Sequence, residues 1–274
     1  MHNKSYNILS GFVLKIIALI TMTFYHVGMF IENTVISNIF MFIGRMAFPL
    51  FIFLLVEGVR NTKNFGKYFL RLSVLELVIL IGTILATFLI NDSFNLSSPI
   101  LELVLVAITL YLLKRKDYKS FLSLLPVSYL ILCFVVEIVE FKSQNPVKFL
   151  PNFLRPDYNL FGLLIGLAFF YAKPVSISFL KSRDETTNLT VTNLQRISEN
   201  ILCVLSLLFI AFIYQLISAN FAIEFLVQFD AVFAAIPILL YSGKRGYNAK
   251  WFQYGSYLYF PIHLVIIYLV TSLF

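Results

Sequence analysis

Long apolar runs, each near the length of a bilayer crossing, alternate with short polar breaks along most of the chain. A helix rises about 1.5 Å per residue, so about 17 to 25 predominantly apolar residues span a hydrocarbon core of about 30 Å. Nine such runs lie near 12–31, 38–58, 68–90, 98–113, 120–140, 159–172, 199–217, 221–241 and 254–274. The fourth and sixth are short, so the pattern also accommodates eight or ten. It predicts an all-α, polytopic integral membrane bundle, with residues 1–274 as a single transmembrane domain. The first run is expected to remain in the protein, because it is long, lacks a small-residue cleavage site and is followed at once by another run. The longest polar insertion, "KPVSISFLKSRDETTNLTVTNLQRISEN", predicts a flexible cytoplasmic connector over about 173–198.

Composition points the same way. Hydrophobic residues make up 59% and charged residues only 13% of the chain, with mean hydropathy +0.87, against roughly 25% charged in a soluble domain. The net charge of +7 is explained by topology. With the N-terminus cytoplasmic, Lys4, Lys15 and the basic clusters at 60–71, 114–119, 173–196 and 244–250 all fall inside. Only Lys142, Lys148 and Arg155 fall outside, and the outer loop "NDSFNLSS" carries no basic residue. No nucleic-acid partner is needed to account for the charge. Cys133 and Cys203 sit singly inside apolar runs, which indicates neither a disulfide framework nor a metal site.

Ionisable side chains within such runs are costly and usually face the bundle interior or a wet cavity. Here they are His26, Arg45, Glu57, Glu76, Glu102, Asp230 and His263. In "LKIIALITMTFYH", Lys15 and His26 are eleven residues apart, roughly three turns and about 16 Å of rise, so they share a helix face. That places a cation at the cytoplasmic mouth and a group able to take up a proton deep inside, which suits a cytosolic anionic donor reaching a buried base. The same spacing also suits a packing histidine bonded to a neighbouring helix beside a snorkelling lysine.

Arg45 lies one and a half to two turns inside the second run, and Pro49, four residues on, loosens the helix there. Its permanent charge suits either a polarised carbonyl or its oxyanion, or a structural ion pair with Asp230 or another carboxylate. Glu57 beside Arg60 reads as an interfacial pair. His263 follows Pro261 in "YFPIHL", where a kink could widen a cavity; it is either a substrate-orienting group or a hydrogen-bonded core histidine. Lys244 and Arg245 in "SGKRG" could grip phosphates or serve as ordinary positive-inside anchors.

The Lys15 to His26 spacing resembles the signature of the integral-membrane acyltransferase superfamily. A closer resemblance is to the TraX family, named for the protein that acetylates the N-terminus of conjugative pilin. It is carried by "LKIIALITMTFYHVGMF", "IGRMAFPLFIFLLVEGVRNTKNFGKYFLRL", "YNLFGLLIGLAFFY", "LLYSGKRG" and "YLYFPIHLVIIYL". TraX-like sequences commonly place an aspartate before the first histidine, where this chain has Tyr25, so the resemblance supplies no orienting partner for His26. Tyrosine there is similar to the wider superfamily.

The resemblance implies a multi-pass protein of the bacterial plasma (inner) membrane that uses acetyl-CoA as acyl donor, without a metal. It implies catalytic roles for His26 and Arg45, substrate contacts for Tyr25, Glu57 and His263, and donor contacts for Lys15, Lys244 and Arg245. The acceptor implied is a pilin-like or other small membrane or secreted peptide. A cell-envelope sugar or lipid O-acetyltransferase follows if only the superfamily likeness holds, and a transporter or non-catalytic pilus or peptide-export component is the reading from another class.

Overall fold

The computed structural model describes residues 8–90, 98–181, 188–221 and 228–271, without the side chains of 86–90, 188–192 and 271. Lys4, Arg183, the loop at 91–97 and the end of the last run lie outside the described residues. The described chain is helical: α1 Gly11–Gly28, α2 Thr34–Gly44, α3 Ala47–Asn61, α4 Phe65–Ile90, α5 Pro99–Arg115, α6 Leu124–Ser143, α7 Asn159–Lys181, α8 Asn188–Phe221, α9 Ala235–Leu239 and α10 Lys250–Thr271. Short 3₁₀ turns precede α6, α7 and α9, and the described β contacts are two isolated bridges, Leu9 with Tyr241 and Ser98 with Pro156.

Six helices among the described residues are long and apolar enough to cross a membrane, with α2 and α3 counted together as Thr34–Asn61. The nine expected crossings are therefore matched only in part. Residues 229–239 form an apolar helix too short to span. At 17 residues, α5 is at the lower limit. The apolar face of α10 is interspersed with Gln253, Ser256, His263 and several tyrosines. The polar insertion departs from expectation as well. Helix α7 continues through Pro174 to Lys181 and α8 begins at Asn188, so most of the supposed connector at 173–198 is helix.

Local chemistry sets the boundaries. Ser10 caps α1 by accepting from the Val13 amide, Asn33 caps α2 through Val35 and Ile36, and Ser98 caps α5, which opens on Pro99. The second apolar run breaks at Arg45 and Met46 for a covalent reason. Pro49 has no N–H to give the Arg45 carbonyl four residues back, and its ring crowds that carbonyl.

The chain divides into two compact units, residues 55–166 and the remainder. In the unit of residues 55–166, α5 packs on α4 and α6 around buried Val106, Leu110, Leu130 and Cys133. Lys114 donates to the Val59 and Arg60 carbonyls at the end of α3, where orphan acceptors favour a cation. Arg155, 3% exposed between α6 and α7, is paired with Glu140 and donates to the Leu150 carbonyl. The bond to Glu140 pushes its guanidinium pKa up. In the other unit, α1 packs on α2 and α10, and α8 on α9, over a core including Leu14, Ala18, Leu50, Ile52, Phe169 and Leu207.

Candidate functional site along the α1–α10 seam

Three polar rungs join α1 to α10. Lys15 Nζ donates to Ser256 Oγ at 3.2 Å, Thr23 Oγ1 and Tyr259 Oη meet at 2.6 Å, and His26 Nδ1 meets His263 Nε2 at 3.1 Å. Residue numbers rise together on both helices, so the two run in the same direction. On α1 the three positions fall within one face at about 100° per residue, as they do on α10. The shared face expected for Lys15 and His26 thus exists, and α10 is what it meets.

Donor directions follow from single hydroxyl protons. Thr23 Oγ1 donates to the Leu19 carbonyl at 2.9 Å, so it accepts from Tyr259 across the seam. Ser256 donates within α10, to the Phe252 carbonyl at 2.9 Å, and accepts from Lys15. Above Ser256, the Lys15 ammonium lies 5.9 Å from the Phe252 ring and 5.6 Å from the Tyr257 ring, within cation–π range. Among the described residues no carboxylate pairs with it.

At the inner end of the seam both imidazoles bond to their own helices. His26 Nδ1 lies 3.0 Å from the Met22 carbonyl, and His263 Nδ1 lies 2.9 Å from the Tyr259 carbonyl. The Tyr259 and His263 rings are stacked, 5.1 Å apart and 4° from parallel. His263 is 5% exposed, whereas His26 is only partly buried. Among the described residues His26 Nε2 has no hydrogen-bond partner. Helix α10 runs unbroken through Pro261.

Glycines let α2 press against α1. A Cβ on Gly44 would collide with the Tyr25 backbone, and one on Gly28 would lie 3.0 Å from side-chain atoms of Phe40 and Met41. Close approach over small residues is how membrane helices gain packing contacts without a hydrophobic drive between them. Arg45, next after Gly44, is thereby set beside the helix turn that carries Tyr25 and His26. Its Nε lies 3.8 Å from Asp230 Oδ2, a loose ion pair with both side chains about a third exposed (29% and 32%).

At the start of α1, Leu9 bridges to Tyr241, and the Gly11 and Phe12 amides donate to the Lys244 and Arg245 carbonyls at 2.8 and 3.0 Å. Gly243 and Gly246 take left-handed φ of 73° and 74°, which L side chains rarely adopt, and a Cβ on Gly246 would strike Ser10. This turn holds exposed Lys244 and Arg245 over the end of α1 that leads to Lys15.

The structure thus gathers Lys15, Tyr25, His26, Arg45, His263, Lys244 and Arg245 into one unit. Glu57 belongs to the other unit, where Arg60 Nη1 donates to it at 3.2 Å. Glu76 accepts from Ser98, and Glu102 is fully buried in α5. Thr23, Tyr259, Ser256 and Gly44 were not foreseen. Thr23 three residues before His26 and Tyr259 four before His263 are helical neighbours of the histidines, and that spacing was the available signal. Among the described residues no cluster of three His, Cys, Asp or Glu side chains is placed to hold a metal ion.

A family model described as "TraX protein" matches residues 10–173, more than half of the chain. The chain belongs to the TraX family. The TraX match contains Lys15, Tyr25, His26, Arg45 and Glu57, while α10 with His263 lies beyond it. No curated protein and no solved structure matches this TraX chain.

Proposed function

We propose that this TraX-family protein is an integral-membrane acyltransferase. It moves an acetyl group from cytosolic acetyl-CoA to the N-terminal amine of a pilin-like or other small membrane or secreted peptide. The observation that carries the reading is the histidine pair, which holds one imidazole firmly while leaving its Nε2 without a partner among the described residues. The inner membrane with a cytoplasmic N-terminus is the location we assign, from the lysine and arginine bias.

The donor's anionic end fits the basic end of the seam. Lys15 is a partly buried ammonium with no carboxylate partner among the described residues, and exposed Lys244 and Arg245 lie at the same end. His26 Nε2 takes the proton from the acceptor nitrogen as that nitrogen attacks the thioester carbonyl. When the C–S bond breaks, the proton passes from His26 to the departing thiolate. Arg45 faces the negative charge that develops on the carbonyl oxygen, with Asp230 steadying its guanidinium.

The test is the mass of a co-expressed acceptor peptide, which should rise by one acetyl group with the intact protein. His26→Gln keeps a polar side chain but removes the proton acceptor, and should lower transfer by roughly two to four orders of magnitude at matched protein amount. Turnover near wild type from His26→Gln would sink this reading.

A further inference from the structure

We infer that His263 is a positioning residue, which together with the Met22 carbonyl holds His26 in the tautomer protonated at Nδ1 and so leaves Nε2 as the nitrogen that takes up the proton. The catalytic part of this inference rests on the acyltransferase reading, whereas the tautomer does not.

Two carbonyls decide the protons. A carbonyl oxygen only accepts, so a ring nitrogen hydrogen-bonded to one must carry hydrogen. His263 Nδ1 faces the Tyr259 carbonyl at 2.9 Å and is therefore N–H, which in a neutral ring makes His263 Nε2 a lone pair. His26 Nδ1 faces that lone pair at 3.1 Å and the Met22 carbonyl at 3.0 Å. Only an N–H at His26 Nδ1, shared between both acceptors, avoids two repulsive contacts. The opposite tautomer would set the His26 Nδ1 lone pair against a carbonyl oxygen and another lone pair.

His263 holds this acceptor still because it is itself clamped. Its ring lies flat against Tyr259, whose hydroxyl donates to Thr23 of α1 at 2.6 Å, and only 5% of the residue is exposed. When His26 Nε2 gains a proton, its Nδ1–H becomes a cationic donor toward a neutral lone pair already in place, and that hydrogen bond strengthens. His263 thus serves the base as a fixed acceptor serves the histidine of a catalytic triad, without bringing a charge into the membrane.

The chain has three histidines, His2, His26 and His263, so ¹⁵N-imidazole NMR of the full-length protein in detergent resolves the question directly. The expected wild-type spectrum has both His26 and His263 protonated at Nδ1 alone. In His263→Phe, which keeps an aromatic ring against Tyr259 but offers no acceptor, the Met22 carbonyl alone holds the His26 Nδ1–H, and the tautomer protonated at Nε2 should gain population. In that variant kcat should fall about tenfold or more, with the KM for acetyl-CoA unchanged. His263→Gln, whose amide oxygen can accept from His26 Nδ1, should recover part of both signals and keeps the test valid if the phenylalanine variant does not fold. A wild-type His26 protonated at Nε2, or no response of tautomer and kcat to His263→Phe, would overturn the inference. The expected tautomers in a protein that transfers no acetyl group would uphold the arrangement and reject the acyltransferase reading alone.

Discussion

Gly44→Ala adds one methyl group at the tightest point of the α1–α2 crossing. A Cβ there would lie 2.6 Å from the Tyr25 amide nitrogen and Cα, about an ångström inside ordinary contact. Those atoms are backbone inside a helix, so they cannot swing aside as a side-chain tip would. Overpacking of this kind costs about 1–3 kcal/mol, and the unyielding neighbour argues for the upper part of that range. Replacing glycine by alanine in a helix returns up to about 1 kcal/mol. The net loss is then about 2 kcal/mol, roughly a 30-fold change in the folded-to-unfolded ratio. Gly82→Ala in α4 is the matched control, since nothing lies within 4 Å of its Cβ position and only the propensity gain applies. Thermal unfolding of both purified variants in detergent, followed by size-exclusion chromatography, should show Gly44→Ala below wild type and Gly82→Ala at or above it. Equal midpoints for the two variants would refute the packing argument for α1 and α2.

On the proposed acyltransferase reading, Lys15→Gln removes a charge remote from the reacting atoms, so it should mainly raise the apparent KM for acetyl-CoA while kcat changes little, read from initial rates over a donor titration. Reporter fusions after residues 64, 117, 185 and 247 should report cytoplasm, and fusions near 95 and 150 the outside. Positions 95 and 185 lie outside the described residues, and a cytoplasmic signal at 95 would break both the proposed orientation and the donor route.

Apolar length and helical period made the fold class legible, because a backbone in lipid must satisfy its own hydrogen bonds and a helix does so alone. The number of crossings was less legible. Residues 221–241 are as apolar as a span, yet within the described part of that run residues 229–239 fold as a 3₁₀ turn and a short helix, and hydropathy does not register such a break. At Arg45 only a loosening was legible, from Pro49, within a run read as one span over 38–58; the structure makes it a break between two helices. Gly44 passed unnoticed because its meaning lies in Tyr25, a residue of another helix.

His26 was legible as an anomaly and its partner was not, because the two histidines are 237 residues apart. Depth along the helices was the clue. His26 lies fifteen residues past Gly11 and His263 thirteen past Lys250, so in helices running the same way their heights differ by about 3 Å at about 1.5 Å per residue. Lys15 and Ser256 likewise fall four and six residues from those starts, again about 3 Å apart. The sequence topology already ran the first and last crossings in one direction. Two histidines at similar depth in parallel helices can reach each other across the seam, which the structure shows and the sequence pattern alone left open.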